Sequence, residues 1–177
     1  MEDRKKISKL YLFAFILGTT IPLVLSCFFT IGRANGTSMS YTIQNGDITL
    51  QLKNLDILNI EPKRGDIINF KSPVFENINF VKRVIGIEGD EIKIESGKVY
   101  LNGEELEEDY IRGRRTVLQK NQESHWIVPE GKVFVLGDNR EKGGSMDSRS
   151  YGFIDIDDIN GYIIGILYPR DRMGFVK

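Results

Sequence analysis

The 177 residues are enough for one compact domain with an appendage, because domains typically hold about 100–150 residues. The chain carries 24 Lys and Arg residues against 25 Asp and Glu residues. The basic residues form no stripe, which excludes a nucleic-acid partner. One cysteine excludes an intramolecular disulfide, and a single histidine, His125, excludes most metal sites. We therefore expect no metal, no other cofactor and, in any hydrolase, a catalytic base other than histidine.

The segment 10–31 contains no charged residue and predicts one transmembrane helix. Its 22 residues span about 33 Å at about 1.5 Å per residue, enough for a bilayer core. Pro22 is compatible with a kink. Four basic residues precede the segment and only Arg33 follows closely, so residues 1–9 are expected in the cytoplasm and the rest on the outer face of the cell membrane. The preceding basic residues are Arg4, Lys5, Lys6 and Lys9.

Two other interpretations of this segment stay open. A cleavable signal peptide has a shorter apolar region, whereas residues 28–31 extend the apolar run beyond Cys27. Residues 24–27 loosely match a lipid-attachment box, but the bulky Leu25 and the apolar residues after Cys27 fit it poorly. A retained anchor fits the length and the flanks best, with Cys27 an inert thiol in lipid.

Short apolar or alternating segments separated by turns dominate from residue 34 onward and predict a mainly β fold. The Asn102-Gly103 pair is a strong hairpin signal. The acidic cluster at 104–109 is most simply a solvated surface. We expect a β domain formed by residues 32–87 and 131–177, with a hairpin or small subdomain inserted at 88–130. The predicted strands are 47–52, 66–70, 80–87, 91–95, 98–101, 132–136 and 161–167.

Two polar clusters contain residues capable of chemistry. Ser38 lies in the segment 36–47, a few residues beyond the apolar segment. By itself, a serine near glycine is most simply a turn residue. The segment 137–149 is, taken alone, most simply a polar surface loop. Neither cluster is diagnostic on its own.

Lys82 lies within a nearly continuous apolar strand at 80–87. Burial disfavours the ammonium form and lowers the pKa of a lysine, which suits the amine to act as a general base. The alternative is an edge strand from which Lys82 and Arg83 both reach water. Because neighbours in a strand face opposite sides, one of the two must point inward or along the sheet. We expect the Arg83 charge and the apolar neighbours of Lys82 to lower its pKa. These neighbours are Phe80, Val81, Val84 and Ile85.

Taken together, the three clusters occur in the order found in one family, and the sequence resembles bacterial type I signal peptidases along nearly its whole length. These are membrane-bound serine proteases that remove signal peptides from exported proteins. The resemblance rests on a serine box, a lysine box and a Gly-Asp-Asn-Arg box. The matching residues are Ser38, Met39, Thr42, Ile43, Gly46 and Asp47, then Lys82 to Gly86 with Gly89 and Asp90, and Gly137 to Arg140 with Ser145, Asp147, Ser148 and Arg149.

The resemblance implies antiparallel sheets or a partly closed barrel, and a role for each matching residue. Ser38 would be the nucleophile, with its backbone N–H an oxyanion donor, and Lys82 the general base. Ser145 would hydrogen-bond and orient the lysine amine, and Asp147 would pair with Arg149 to brace the loop. The pockets for small substrate residues would be lined by Met39, Ile43, Val81 and Met146.

The chain departs from the family pattern at three places. Tyr41 replaces the proline of the serine box, so the loop is either less rigid or held by the ring. Two residues are inserted between Arg140 and Ser145. Gly36 stands where some members supply a hydroxyl to the oxyanion, and losing one donor typically costs about 10²–10³ in rate. These differences suggest a specialised member, serving for example surface or pilus proteins.

The implied partners are signal peptides of secretory preproteins and the lipid bilayer, with room for a link to the secretion machinery. Three rivals stay open. A self-cleaving repressor with a Ser–Lys pair would need a DNA-binding domain, which residues 1–33 do not supply. A non-catalytic membrane scaffold would be favoured by loss of Ser38 or Lys82, and both are present. A lipoprotein binding module would require lipid on Cys27.

Overall fold

The computed structural model describes residues 2–53, 60–111, 114–119 and 122–176. Its one long helix, α1 (Glu2–Phe28), lies at the N-terminus and contains Pro22. The 18 residues Tyr11–Phe28 have a mean hydropathy of 2.0, and none of them is buried against the rest of the chain. By length and composition, α1 can cross a membrane.

The remaining elements are short. Among the described residues, 3₁₀ turns occupy Asp109–Ile111, Ile156–Asp158 and Arg170–Arg172, and a second helix, α2, occupies Ser148–Tyr151. In chain order, the strands are β1 (Phe29–Arg33), β2 (Ile48–Lys53), β3 (Ile67–Lys71), β4 (Asn79–Gly86), β5 (Glu91–Glu95), β6 (Lys98–Leu101), β7 (Glu104–Glu105), β8 (His125–Ile127), β9 (Lys132–Leu136), β10 (Ile154–Asp155), β11 (Ile159–Tyr168) and β12 (Gly174–Phe175).

The first sheet has the strand order β1-β2-β11-β3-β4-β9-β10, with β12 paired to β11, and every pairing is antiparallel. The prediction of a mainly β antiparallel fold with one N-terminal apolar helix is confirmed. The sheet is open, with β1 at one end and β10 at the other, and it does not close into a barrel within the described residues.

The helix ends earlier than the sequence predicts. Residues 29–31 were expected in the membrane helix, but α1 stops at Phe28. From Phe29 the backbone pairs with β2, so that Thr30 lies opposite Gln51. The antiparallel ladder satisfies the backbone groups that a continued helix would have used. The first sheet therefore begins directly where the apolar helix ends.

The second sheet has the order β7-β6-β5-β8 and lies within the predicted insertion at 88–130. Its two hairpins turn at Ser96-Gly97 and Asn102-Gly103, where all four residues have positive φ. This backbone is the one that the Asn-Gly signal predicts, because two-residue hairpins favour left-handed central residues. The division of the chain into a body and an inserted subdomain stays a prediction.

β4 connects the two hydrophobic cores because its side chains alternate between the faces of the sheet. Val84 packs in a core with Phe70 and residues of β9 and β11. Its neighbour Ile85 packs in the other core with Trp126 of the second sheet. β4 is an interior strand between β3 and β9, so the edge-strand interpretation of Lys82 and Arg83 is wrong. Both side chains are buried.

One member of the predicted acidic surface cluster is buried instead. The Glu108 side chain is 4% exposed, and Glu108 Oε1 lies 2.5 Å from Arg140 Nη2. Arg140 also donates to Thr116 Oγ1 and to the Gly137 carbonyl. Burial of a carboxylate is tolerable because a buried guanidinium compensates its charge. This pair connects the segment after β7 to the loop after β9.

We expect Glu108→Ala to destabilise the fold, because the substitution leaves the Arg140 charge buried without its partner. The free energy of unfolding should fall by about 3–5 kcal/mol. Denaturant unfolding of the full chain in detergent, followed by the fluorescence of the single tryptophan, measures it. Glu107→Ala is the matched control, because Glu107 is exposed and such surface changes stay within about 0.5 kcal/mol. Equal effects of the two substitutions would show that the pair contributes nothing.

Candidate active site

Ser38 lies in the loop between β1 and β2, and this loop is closed on itself. The Ala34 N–H donates to the Asp47 carbonyl and the Gly46 N–H donates to the Ala34 carbonyl, both at 2.8 Å. Met39, directly after the serine, is 4% exposed and packs with Ile43 in a third hydrophobic cluster. The buried methionine fixes the loop to the sheet and leaves Ser38 at its surface.

Lys82 of β4 points at the serine. Its Nζ lies 2.9 Å from Ser38 Oγ and 3.1 Å from the Val81 carbonyl oxygen. The amine also lies 5.0 Å from the centre of the Phe80 ring. The Lys82 side chain is buried, with a residue exposure of 3%. The structure thus brings a serine hydroxyl and a lysine amine from positions 44 residues apart into hydrogen-bonding contact.

Burial lowers the pKa of the Lys82 amine to about 8. The negative charges of Asp147 and Asp138 act in the opposite direction, and the Arg149 charge adds to the lowering. From the sequence, such a lowering by a nearby cation is expected of Arg83. Each guanidinium pairs with one of those carboxylates, but Arg149, not Arg83, is the cation that lowers the pKa of Lys82.

Arg83 and Asp138 form a buried pair that the sequence does not predict. Arg83 Nε and Nη2 donate to the two carboxylate oxygens of Asp138 at 2.9 and 2.8 Å. Asp138 also accepts from Thr42 Oγ1 at 2.5 Å. The pair therefore joins β4, the serine loop and the loop after β9. The sequence does contain a signal for the position of Arg83: it follows Lys82 in the same strand, so its side chain lies on the opposite face of the sheet.

The loop after β9 contacts the serine through its backbone. The Asn139 N–H donates to the Ser38 carbonyl at 2.9 Å, and Asn139 Nδ2 donates to the Thr37 carbonyl at 3.2 Å. Gly137 lies so close that a side-chain carbon there would be 2.6 Å from the Ser38 carbonyl oxygen. The glycine is needed for this close approach of two loops.

Asp147 and Arg149 pair as predicted. Arg149 Nη2 donates to Asp147 Oδ2 at 2.7 Å, and both side chains are buried. Asp147 also accepts from the Gly137 N–H at 3.0 Å, and Arg149 Nη1 donates to the Val117 carbonyl at 2.9 Å. The ion pair fixes the two ends of the loop that contacts Ser38.

Ser145 does not make the predicted hydrogen bond to the Lys82 amine in this structure. Its Oγ is buried and has no hydrogen-bond partner within the described residues. The hydroxyl instead packs beside Gly137. The Lys82 amine donates to Ser38 Oγ and to the Val81 carbonyl, so it has two acceptors without Ser145.

A cleft of about 500 Å³ opens beside Ser38 and Lys82. All four predicted pocket residues line it. Met39 and Ile43 are buried, Val81 is partly buried, and Met146 is 44% exposed. Ser145 and the glycines of the segment between Arg140 and Ser145 also line the cleft. Within the described residues, no group of three or more His, Cys, Asp or Glu side chains could hold a metal ion.

The structure favours one of the two interpretations of Tyr41. The Arg114 guanidinium lies 4.7 Å from the centre of the Tyr41 ring, and the Tyr41 hydroxyl donates to Glu141 Oε1 at 3.4 Å. Arg114 also pairs with Glu141, the first residue of the segment that carries the two-residue insertion. The ring is therefore held. Gly36 lines the cleft and offers only backbone, its N–H donating to Asn45 Oδ1.

Comparison with known proteins identifies the family. A family model described as signal peptidase, peptidase S26 matches residues 5–168. The chain is 33% identical over 172 residues to Signal peptidase I of Bacillus licheniformis, covering 90% of this chain and 88% of that protein. It is 32% identical over 150 residues to Signal peptidase IB of Staphylococcus aureus strain COL, covering 76% and 75%. A crystal structure of a signal peptidase I from Enterococcus faecalis V583 aligns with 34% identity and a TM-score of 0.47, covering 58% of this chain and 97% of that chain.

The family model spans most of the chain, and the relatives are matched over most of their own length. The matched region contains the helix α1, the Ser38 loop, the buried lysine of β4 and the loop after β9. The resemblance noted from the three boxes is thereby confirmed. The chain belongs to the signal peptidase family, peptidase S26.

Proposed function

We propose that this protein is a membrane-anchored serine endopeptidase that removes signal peptides from exported preproteins, with Ser38 as nucleophile and Lys82 as general base. The observation that carries the proposal is the 2.9 Å contact between Ser38 Oγ and a buried lysine amine. A nucleophile next to a base is the geometry that activates a hydroxyl. A pKa of about 8 leaves an appreciable fraction of the amine neutral near pH 7–8, as a base requires.

The chemistry follows in two steps. Ser38 Oγ attacks the carbonyl carbon of the scissile bond while its proton passes to the neutral Lys82 amine. The ammonium then gives the proton to the leaving nitrogen, the peptide bond breaks and an acyl-enzyme forms. In the second step the amine takes a proton from water and the hydroxide attacks the ester carbonyl. The bond between the acyl group and Ser38 Oγ then breaks, and the ammonium returns the proton to Ser38 Oγ.

The tetrahedral intermediates need donors for their oxyanion, and the Ser38 N–H supports that role. No acceptor in the described part of the chain is paired with this N–H. It belongs to a loop fixed by Met39 and Asn139, so it is preorganised. Such fixed donors supply a large share of the rate in acyl transfer. Gly36 adds no hydroxyl, so this donor set rests on backbone N–H groups.

The role proposed for Ser145 is to accept a hydrogen bond from the protonated lysine. An ammonium has three donors, and Ser38 Oγ with the Val81 carbonyl accepts two of them. The buried Ser145 hydroxyl has no partner among the described residues and lines the same cleft. A shift of this side chain toward the amine would satisfy both groups at the moment when Lys82 carries the proton.

The cleft supports a preference for small side chains at the first and third positions before the cut. In an extended peptide these two side chains point to the same side. Met39, Ile43 and Val81 form apolar walls packed against the sheet. A bulky side chain would collide with these walls and lose more than the roughly 1–3 kcal/mol that one methylene is worth.

The membrane anchor fits a substrate that is itself inserted in the bilayer. α1 ends at Phe28 and the Ser38 loop begins five residues after β1 starts, at Ala34. We propose that the N-terminus is cytoplasmic and that the β domain faces outward, because the basic residues precede the helix. Service to a restricted set of preproteins and a link to the secretion machinery stay predictions. The scaffold alternative is not favoured.

The paired role of Ser38 and Lys82 is tested by single and double substitutions. Ser38→Ala and Lys82→Ala should each reduce kcat/KM for an exported precursor by at least about 10³-fold, and the double variant should be no worse, because residues acting as one unit are non-additive. Lys71→Ala is the matched control, since Lys71 is exposed and its contact with Asp158 is 3.9 Å long. Substantial cleavage by Lys82→Ala would remove the lysine from the mechanism.

Gly137→Ala tests the close approach of the two loops. The added methyl would lie 2.6 Å from both the Ser38 carbonyl oxygen and Ser145 Cβ. The backbone of Ser38 must therefore move. A displacement of about 1 Å at the reacting atoms costs about 10²-fold in rate, and we expect that loss in kcat/KM. Gly174→Ala is the control, because nothing lies within 4 Å of its added carbon. If both variants cleave as well as the parent, the packing at Gly137 does not position Ser38.

A further inference from the structure

A chain of polar side chains runs along one part of the cleft that holds Ser38 and Lys82. It consists of Thr49 and Gln51 on β2 and Asn69 on β3, and all three line the cleft. Asn69 lies directly opposite Val81 in the β3–β4 ladder. The substrate cleft therefore has a polar floor beside its apolar wall, which the small-residue preference does not explain.

The hydrogen bonds of this polar chain all run in one direction. The Thr49 hydroxyl donates to the Gly32 carbonyl at 3.3 Å, so its oxygen is left to accept from Gln51 Nε2, also at 3.3 Å. Gln51 thereby presents its Oε1 to Asn69, whose Nδ2 donates to it at 2.9 Å. The one hydroxyl proton fixes both amides, because an amide has a donor end and an acceptor end.

The last atom of the chain is an acceptor without a donor. Asn69 Oδ1 is buried and has no hydrogen-bond partner within the described residues. A buried polar atom left in this state is costly, so a partner from the ligand is favoured. The position of the Gln51 amide requires glycine at position 32, since any side-chain carbon at Gly32 would collide with this amide.

We propose that Asn69 Oδ1 accepts a hydrogen bond from a substrate side chain at the first or third position before the cut, so that the enzyme prefers serine to alanine there. The inference rests on the proposed function and adds a substrate class to it: signal peptides with a small hydroxyl residue in the cleft. A serine hydroxyl satisfies the buried oxygen, whereas alanine leaves it unpaired. A site that accepts a hydrogen bond from a substrate hydroxyl disfavours substrates that lack this hydroxyl.

The test compares two peptide pairs that differ only by serine or alanine at the first or at the third position, cleaved by the full chain in detergent. For one pair, kcat/KM should be about 3- to 10-fold higher with serine, the range of one net hydrogen bond. Asn69→Leu should bring that ratio close to one, because leucine has a similar shape and no acceptor. Thr49→Val should also reduce the serine-to-alanine ratio, because the polar side chains then lose the hydroxyl proton that orients both amides.

Asn160→Leu is the matched control. Asn160 lies exposed on β11 and does not line the cleft, so the serine-to-alanine ratio should stay at the parent value. Ratios near one in the active parent, or a ratio that survives both Asn69→Leu and Thr49→Val, would overturn the inference and leave the proposed function intact. Failure of the parent to cleave any of the four peptides would instead overturn the proposed function, and the inference with it.

Discussion

The burial of one amine, that of Lys82, is the constraint on which the rest of the site depends. β4 passes through the interior of the first sheet, and the lysine has no ion-pair partner within the described residues. A buried ammonium would be costly, so the neutral form gains weight and the pKa falls. The same desolvation that disfavours the charge suits the amine to the proposed role of base for Ser38. Stability and chemistry are thus in tension at this position.

The surrounding charges show how the fold tolerates a buried lysine. Three guanidinium groups near the site are buried, and each is compensated by a buried carboxylate: Arg83 by Asp138, Arg140 by Glu108 and Arg149 by Asp147. These pairs join β4, the serine loop, the segment after β7 and the loop after β9. They hold the loops that present Ser38 while leaving the lysine itself unpaired. Rigid support around one uncompensated group would preorganise Ser38 for the proposed role of nucleophile.

The Ser38 loop is also held by contacts of the Tyr41 side chain. Tyr41 stands where the resemblance implied proline, and its ring contacts Arg114 while its hydroxyl reaches Glu141. Glu141 begins the segment that contains the two-residue insertion. The two departures from the family pattern therefore meet in space, and one compensates the other: an aromatic contact replaces the stiffness of a proline ring.

Local patterns predicted the strands β2 to β6, β9 and β11 and the Asn102-Gly103 turn, because alternation and turn signals are properties of neighbouring residues. The strands β1, β7, β8, β10 and β12 were not predicted. Contacts between distant residues had no such signal. Glu108 lies in an acidic run and pairs with Arg140, 32 residues away, so a surface prediction was natural and wrong. The end of α1 at Phe28 depends on the pairing of β1 with β2. The length of an apolar segment does not predict such a pairing. The Ser38–Lys82 proximity came from the order of the three boxes, and the polar chain ending at Asn69 was not foreseen.

The proposed mechanism depends on the neutral form of Lys82, which burial makes accessible near pH 8 and which acts as the base. Its most direct test is the pH dependence of kcat/KM, measured on the parent and on His125→Ala. Only the neutral amine accepts the proton, so the rate should rise with pH through an apparent pKa near 8, well below the roughly 10.4 of a free lysine. His125 is exposed and contacts Glu91 in the second sheet, so its removal should leave the rising limb in place. A rising limb near pH 10, or one that disappears in His125→Ala, would contradict the account.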